Sequence, residues 1–303
     1  MKLKPPRLPF PYSAPTVPRG VEPPVKERKT GPDFETDWAR RYPARVARAA
    51  LVEGLMRPAM QAIAAPERVG LDRIDGLVGP AIFAANHHSH IDTPLMLTSI
   101  PEPWRHRMVV GAAADYFFST RVTGALSALA LNAFPIERTR VTRRSADLAA
   151  ELIGDGWSLL IFPEGGRSPD GWGQPFRGGA AYLSLRCDVP VVPIHLEGTG
   201  RILRKGAKQL TPARTRVTFG KPLRPADGPE GDRDSRRFAV RIEDEVAVLA
   251  DEATTDWWSA RRRAASGATP ALGGPDAPTW RRLWALGDRH TRRRSPRRTW
   301  PTF

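Results

Sequence analysis

Cysteine is all but missing from this chain: Cys187 is the only one in 303 residues. A single cysteine excludes an intrachain disulfide and a four-cysteine zinc site, and a reducing compartment is the expected setting. Long apolar runs are missing too. The uncharged stretch Val122–Ile136 has 15 residues and includes Gly124, Asn132 and Pro135, short of the roughly 18 a membrane-spanning helix needs, so no transmembrane helix is expected. No continuous apolar stretch follows Lys2, Lys4 and Arg7, so the first residues do not read as a secretory signal and the chain is expected to stay inside the cell. No internal repeat, G-x-S-x-G nucleophile elbow or H-E-x-x-H pair is present. Acidic residues are in deficit, 32 Asp and Glu against 47 Lys and Arg, which leaves a net charge of +15. Such a field attracts an anionic partner, whether nucleic acid, an acidic membrane surface or a phosphorylated substrate.

Four segments follow from composition. Residues 1–33 form a proline-rich basic arm, with Pro5, Pro6, Pro9, Pro11, Pro23 and Pro24 favouring extended backbone. Residues 34–69 carry N-terminal helices, basic first (Arg40, Arg41, Arg45, Arg48) and apolar after (Leu51, Leu55, Ala59, Ile63). The pattern predicts two short helices with a break before Pro58, lying either on a membrane surface or against the core. Residues 70–255 form the main globular domain. Residues 256–303 form a tail rich in Arg and Trp, which suits a membrane interface, single-stranded nucleic acid or a wrap packing its tryptophans on the core.

Within 70–255, strand and helix signals alternate. Strands are predicted at 77–85, 107–112, 133–136, 157–162, 189–196 and 214–219, and helices at 94–99, 123–131, 145–153, 179–186 and 235–250. This is the pattern of an α/β fold, a mostly parallel central sheet flanked by helices, preceded by the helical pair and bounded by extended basic termini. The prolines around Val189–Ile194 suggest an edge strand or a pocket wall, with His195 as a bystander.

The chemistry concentrates where strands end. Asn86-His87-His88-Ser89-His90-Ile91-Asp92 follows a buried strand, the usual ligand-binding edge of such a sheet. Thr93 as N-cap with Pro94 as the first helical residue fits better than a Ser89–Asp92 capping box, and leaves His87 and Asp92 facing each other in the loop. A metal set of His87, His88, His90 and Asp92 lacks known ligand spacing, so no metal is assigned. The alternative is catalytic: a neutral imidazole accepts the proton of a hydroxyl while a carboxylate orients it. Without an enzyme nucleophile that hydroxyl belongs to the substrate, as in acyl transfer to an alcohol. Arg138, ending Phe134-Pro135-Ile136-Glu137-Arg138, and Arg167, in Phe162-Pro163-Glu164-Gly165-Gly166-Arg167-Ser168, offer two guanidiniums at separate strand ends for a phosphate. Arg177 precedes Gly178-Gly179, a helix start that reads as an anion site or a plain turn.

N-H-x-S-x-x-D at 86–92, F-P-I-x-R at 134–138, F-P-E-G-x-R-S at 162–168 and V-P-V-V-P-I at 189–194 stand in the order and approximate spacing of the glycerolipid acyltransferases. The chain resembles that family, of the lysophosphatidate acyltransferase type, over roughly 70–250. The resemblance implies transfer of a fatty acyl group from acyl-CoA or acyl carrier protein, with no further cofactor, to the sn-2 hydroxyl of lysophosphatidate, another lysophospholipid or glycerol 3-phosphate. It makes His87 the base and Asp92 its orienting carboxylate, and gives Arg138, Glu164, Gly165, Gly166, Arg167 and Ser168 to the acceptor. It implies a peripheral enzyme on the cytoplasmic face of an acidic membrane, with no nucleic-acid partner. The lysine that members often carry in the next strand is replaced by Gly111-Ala112-Ala113-Ala114-Asp115. A basic nucleic-acid-binding protein and a catalytically silent lipid-binding scaffold remain rival readings of the charge.

Overall fold

The computed structural model describes residues 30–137, 143–207, 209–228, 234–278, 280–282 and 284–285; the proline-rich arm lies almost wholly outside them. Seven strands make one sheet: β1 (Glu67–Val69), β2 (Ile82–Ala85), β3 (Met108–Ala113), β4 (Ala133–Ile136), β5 (Ser158–Ile161), β6 (Val191–Glu197) and β7 (Arg216–Phe219). Their order is β1-β7-β6-β2-β5-β3-β4, and every pairing is parallel except β6 with β7. The helices are α1 (Tyr42–Leu51), α2 (Arg57–Ala64), α3 (Asp92–Ser99), α4 (Ala114–Phe117), α5 (Arg121–Leu131), α6 (Arg143–Gly154), α7 (Gly179–Cys187), α8 (Thr199–Leu203), α9 (Ser235–Thr254) and α10 (Trp257–Ala265). The expected α/β architecture with a mostly parallel sheet is the one observed.

The strands read as unbroken apolar runs because both faces of the sheet are covered. Alternation decides which layer each residue joins. Phe83 and Ala85 of β2 enter one core with Met60, Leu95, Met96 and Trp104. Ile82 and Ala84 enter the other, with Ala149 and Leu152 of α6, Ala180 of α7 and Phe238 and Ile242 of α9. β2, β3, β4 and β5 run parallel, so their carboxyl ends share one edge, and β6, parallel to β2, ends there too.

Several elements depart from the sequence reading. The break expected before Pro58 is absent: a π-turn at Val52–Met56 joins α1 to α2 with right-handed helical backbone at both junctions. Pro58 has no N–H to return to the preceding turn, and the wide turn absorbs the missing bond. Val52, Met60 and Ala64 of this helix are buried, while Tyr42, Val46 and Leu55 are exposed. The strand predicted from residue 77 starts only at Ile82, because Gly79 adopts φ +85 just ahead of Pro80. The short β1 was not foreseen. Nor is the proline-flanked β6 an edge, since β2 and β7 pair with it on either side.

The described part of the C-terminal segment wraps the domain, but not with its described tryptophans. Arg263 pairs with Asp251 at 2.6 Å, and Leu272 is buried against Val246, Ala247 and Ala250. Trp257, Trp258, Trp280 and Trp284 stay exposed. No helix among the described residues is long and apolar enough to cross a membrane.

Candidate active site

β2 ends at Ala85, and Asn86 makes one further rung of the sheet with its side chain. Its Nδ2 donates to Leu196 O at 3.0 Å and its Oδ1 accepts from Leu196 N at 2.7 Å. The backbone is thereby released to turn away at His87. Asp92 then gathers the loop on a single carboxylate oxygen. Oδ2 accepts from the backbone N–H of His88 at 2.6 Å and of Ser89 at 2.7 Å, and stands 2.8 Å from His87 Nδ1.

Asp92 is wholly buried and is the first residue of α3, not a loop residue ahead of a Thr93 cap. Its bond from Ser89 N is one half of the capping box set aside on sequence grounds. Pro94 is tolerated because it falls in the first turn, where helical N–H groups lack partners in any case. One carboxylate therefore both ends the loop and orients the imidazole. With Nδ1–H donated to Asp92, Nε2 is the nitrogen that can accept a proton.

The ring of His87 stacks on Phe162, with centroids 4.2 Å apart and planes 18° apart. Its backbone is held from two sides: Glu164 Oε1 accepts His87 N–H at 2.9 Å, and Ser168 N donates to His87 O at 2.8 Å. Glu164 Oε2 accepts from Gln174 N at 3.1 Å. Burial pushes the Glu164 carboxyl up to about 8, against the opposing pull of those two backbone donors.

A cavity of about 240 Å³ opens beside His87. Its walls are apolar, from Val110 and Ala112 of β3, Ile136 of β4, Ile161 of β5 and Phe162 just after it, Ala146 and Ala149 of α6 and Leu183 of α7. Gly111 lets β3 close up on β4, since a Cβ there would lie 2.3 Å from Ile136 Cδ1. His87, His90, Gly165, Gly166, Arg167 and Arg177 line the polar part. Arg167 Nη1 is buried with no hydrogen-bond partner among the described residues. Gly165 has φ +72, and a Cβ there would stand 2.9 Å from the Arg177 guanidinium, so only glycine lets that group lie against the turn. His90 is held below the usual histidine range by burial first and by the charges of Arg167 and His87 second.

The structure thus brings His87, Asp92, Gly165, Gly166 and Arg167 together. Glu164 and Ser168 do not line the cavity. Both Glu164 oxygens are engaged by backbone N–H groups in a side chain 2% exposed. Ser168 Oγ accepts from Gly171 N at 2.7 Å, on the far side of the loop. Arg138 lies outside the described residues. Arg177, left open in the sequence reading, lines the cavity; its signal was the Gly-Gly that follows it. The histidines diverge rather than converge on one metal position: His87 and His90 face the cavity, whereas His88 faces another depression with His195.

This fold and site define an acyltransferase domain, and the family model described as Acyltransferase matches residues 67–197. Through that segment the chain is similar to the glycerolipid acyltransferases. Over 158 residues it is 32% identical to the chloroplastic 1-acyl-sn-glycerol-3-phosphate acyltransferase BAT2 of Brassica napus, a match covering 51% of this chain and 44% of that protein. Over 153 residues it is 31% identical to the 1-acyl-sn-glycerol-3-phosphate acyltransferase of Cocos nucifera, covering 50% and 48%. The chain spans about half the length of these curated relatives. The crystal structure of the 1-acyl-sn-glycerophosphate (LPA) acyltransferase PlsC from Thermotoga maritima shares the fold, with a TM-score of 0.51 at 21% identity over 72% of this chain and 83% of that one.

Proposed function

We propose that the protein transfers a fatty acyl group from an acyl thioester, acyl-CoA or acyl carrier protein, to the sn-2 hydroxyl of lysophosphatidate, forming phosphatidate. The observation that carries this reading is His87 Nδ1 held 2.8 Å from the buried Asp92 carboxylate, at the mouth of an apolar cavity that also contains the unpartnered Nη1 of Arg167. His87 Nε2 accepts the hydroxyl proton as the oxygen attacks the thioester carbonyl. The tetrahedral adduct expels the thiolate, which takes the proton back from the imidazolium. Asp92 fixes the ring and its tautomer throughout. The apolar walls suit the acyl chain, and Arg167 suits the acceptor's phosphate, with Arg177 beside it. Glu164 acts by positioning the His87 backbone rather than by touching substrate.

The same reading places the protein peripherally on the cytoplasmic face of a membrane, supported by the +15 charge and by the exposed Trp257, Trp258, Trp280 and Trp284. The test is mass-spectrometric detection of phosphatidate from lysophosphatidate and a mixed acyl-CoA pool. Wild type should form product and His87→Ala should not, both remaining folded. Product from His87→Ala at the wild-type rate would remove the base, and a parallel acyl carrier protein arm identifies the donor.

A further inference from the structure

Across the 86–92 loop from the cavity lies a second depression of about 770 Å³. β2 stands between β6 and β5 in the sheet. The cavity is built on the β5, β3 and β4 side of the loop, and this groove on the β6 side, with His195 and Glu197 in its wall. The loop is therefore a partition.

The groove is cationic. Arg201, Arg204 and Lys205 line it and are all exposed. Asp170 in the same wall is neutralised by Arg282, whose Nη2 and Nε lie 2.7 and 2.9 Å from its Oδ2, so Glu197 is the remaining acid. Gly198, at φ +88, leaves no room for a side chain: a Cβ there would lie 2.7 Å from Arg201 Nη2. The rim is tied to the catalytic loop. Ser89 Oγ donates to Leu203 O at 2.6 Å, and Ser89 forms a β-bridge with Arg204.

We infer that this groove binds the 3′-phosphorylated adenosine diphosphate of coenzyme A, held by Arg201, Arg204 and Lys205. The inference rests on the acyltransferase reading and names its donor. A long-chain acyl-CoA is apolar at one end and polyanionic at the other, with an uncharged arm between. The loop that carries His87 separates one apolar compartment from one basic compartment in the same sense. The acceptor's phosphate is matched by Arg167 on the cavity side, so the cations across the loop answer to a second anion. Charge attraction from an exposed rim suits a group that must leave after each turnover, and it weakens with salt.

Calorimetry with free coenzyme A, which has no acyl chain and does not use the cavity, tests this directly. Wild type should bind, and the double variant Arg204→Glu/Lys205→Glu should bind at least tenfold more weakly with an unchanged melting temperature. Failure of wild type to bind coenzyme A, or equal binding by the variant, would overturn the assignment. Turnover separates this from the underlying reading. The variant should raise KM for palmitoyl-CoA about tenfold relative to KM for palmitoyl-N-acetylcysteamine, which lacks the nucleotide. If wild type uses both donors and the variant affects them alike, the groove assignment fails and the acyltransferase reading stands. If wild type binds coenzyme A through these residues but acylates no acceptor, the acyltransferase reading fails and the groove stands. Loss of binding to phosphatidylglycerol vesicles with unchanged coenzyme A affinity would make the rim a membrane contact and overturn the proposal.

Discussion

Glu164 accepts the backbone N–H of His87 at 2.9 Å from a position 77 residues further along the chain. The contact joins the loop after β5 to the loop after β2, so the proposed base is positioned through its main chain as well as through its ring. Its energetics depend on pH. The Glu164 carboxyl is raised from 4.5 to about 8 by burial, so between those values the folded protein keeps a proton that the unfolded chain releases. Stability from this group is therefore fully present below 4.5 and declines as pH rises towards 8. Glu164→Gln removes the titration. Wild type is expected to lose on the order of 2–4 kcal/mol more than the variant between pH 4.5 and 8, measured by urea unfolding at a series of pH values. Parallel pH curves would show that Glu164 does not titrate in this window.

Asp92→Asn tests the other support of His87. The amide can no longer orient the imidazole as the carboxylate does, and kcat should fall roughly a thousand- to ten-thousand-fold. Because Asp92 Oδ2 also accepts from His88 N and Ser89 N, the melting temperature should drop as well. A drop in kcat of less than tenfold would show that the ring is oriented without Asp92.

Arg167→Ala should raise KM for a phosphorylated acceptor by about 10- to 100-fold, the worth of a charge-assisted hydrogen bond. KM for an unphosphorylated monoacylglycerol should hardly move. Equal effects on both acceptors would take Arg167 out of the phosphate site.

Acyl-chain preference is open to test at Ala149, buried in α6 and in the cavity wall. Ala149→Leu should shift the preferred donor to shorter chains in a competition assay with mixed acyl-CoAs, at a stability cost of about 1–3 kcal/mol from overpacking. An unaltered chain profile would place the acyl chain elsewhere.

Membrane attachment is better probed by point changes than by truncation, because residues of the tail pack on the domain through Arg263 and Leu272. Trp257→Ala/Trp258→Ala should weaken binding to acidic vesicles several-fold in a sedimentation assay without lowering the melting temperature, since both rings are exposed. Unchanged sedimentation would assign the attachment to another surface.

The layered sheet was legible because strands covered on both faces leave dense apolar runs in the sequence, as at Ile82–Ala85 and Val191–Leu196. The contact of His87 with Asp92 was legible from their spacing in the segment after β2, but not that Asp92 would also head α3 and accept from the His88 and Ser89 backbones. What escaped depends on partners distant in sequence. Nothing local tells that Glu164 is spent on the His87 and Gln174 backbones, or that Ser168 turns away from the cavity. β1 has three residues and is a strand only because β7 pairs with it. Pro58 showed where the helix would be disturbed, but not that a π-turn would absorb the disturbance.

The Asn86 rung also fixes a parity. Two consecutive histidines leave it towards different compartments, His87 to the apolar cavity and His88 to the basic groove. A slip of the chain by one position at this rung would exchange them, presenting an imidazole without Asp92 to the apolar cavity. The side-chain amide therefore acts as an index mark, setting which of two identical side chains faces the apolar cavity.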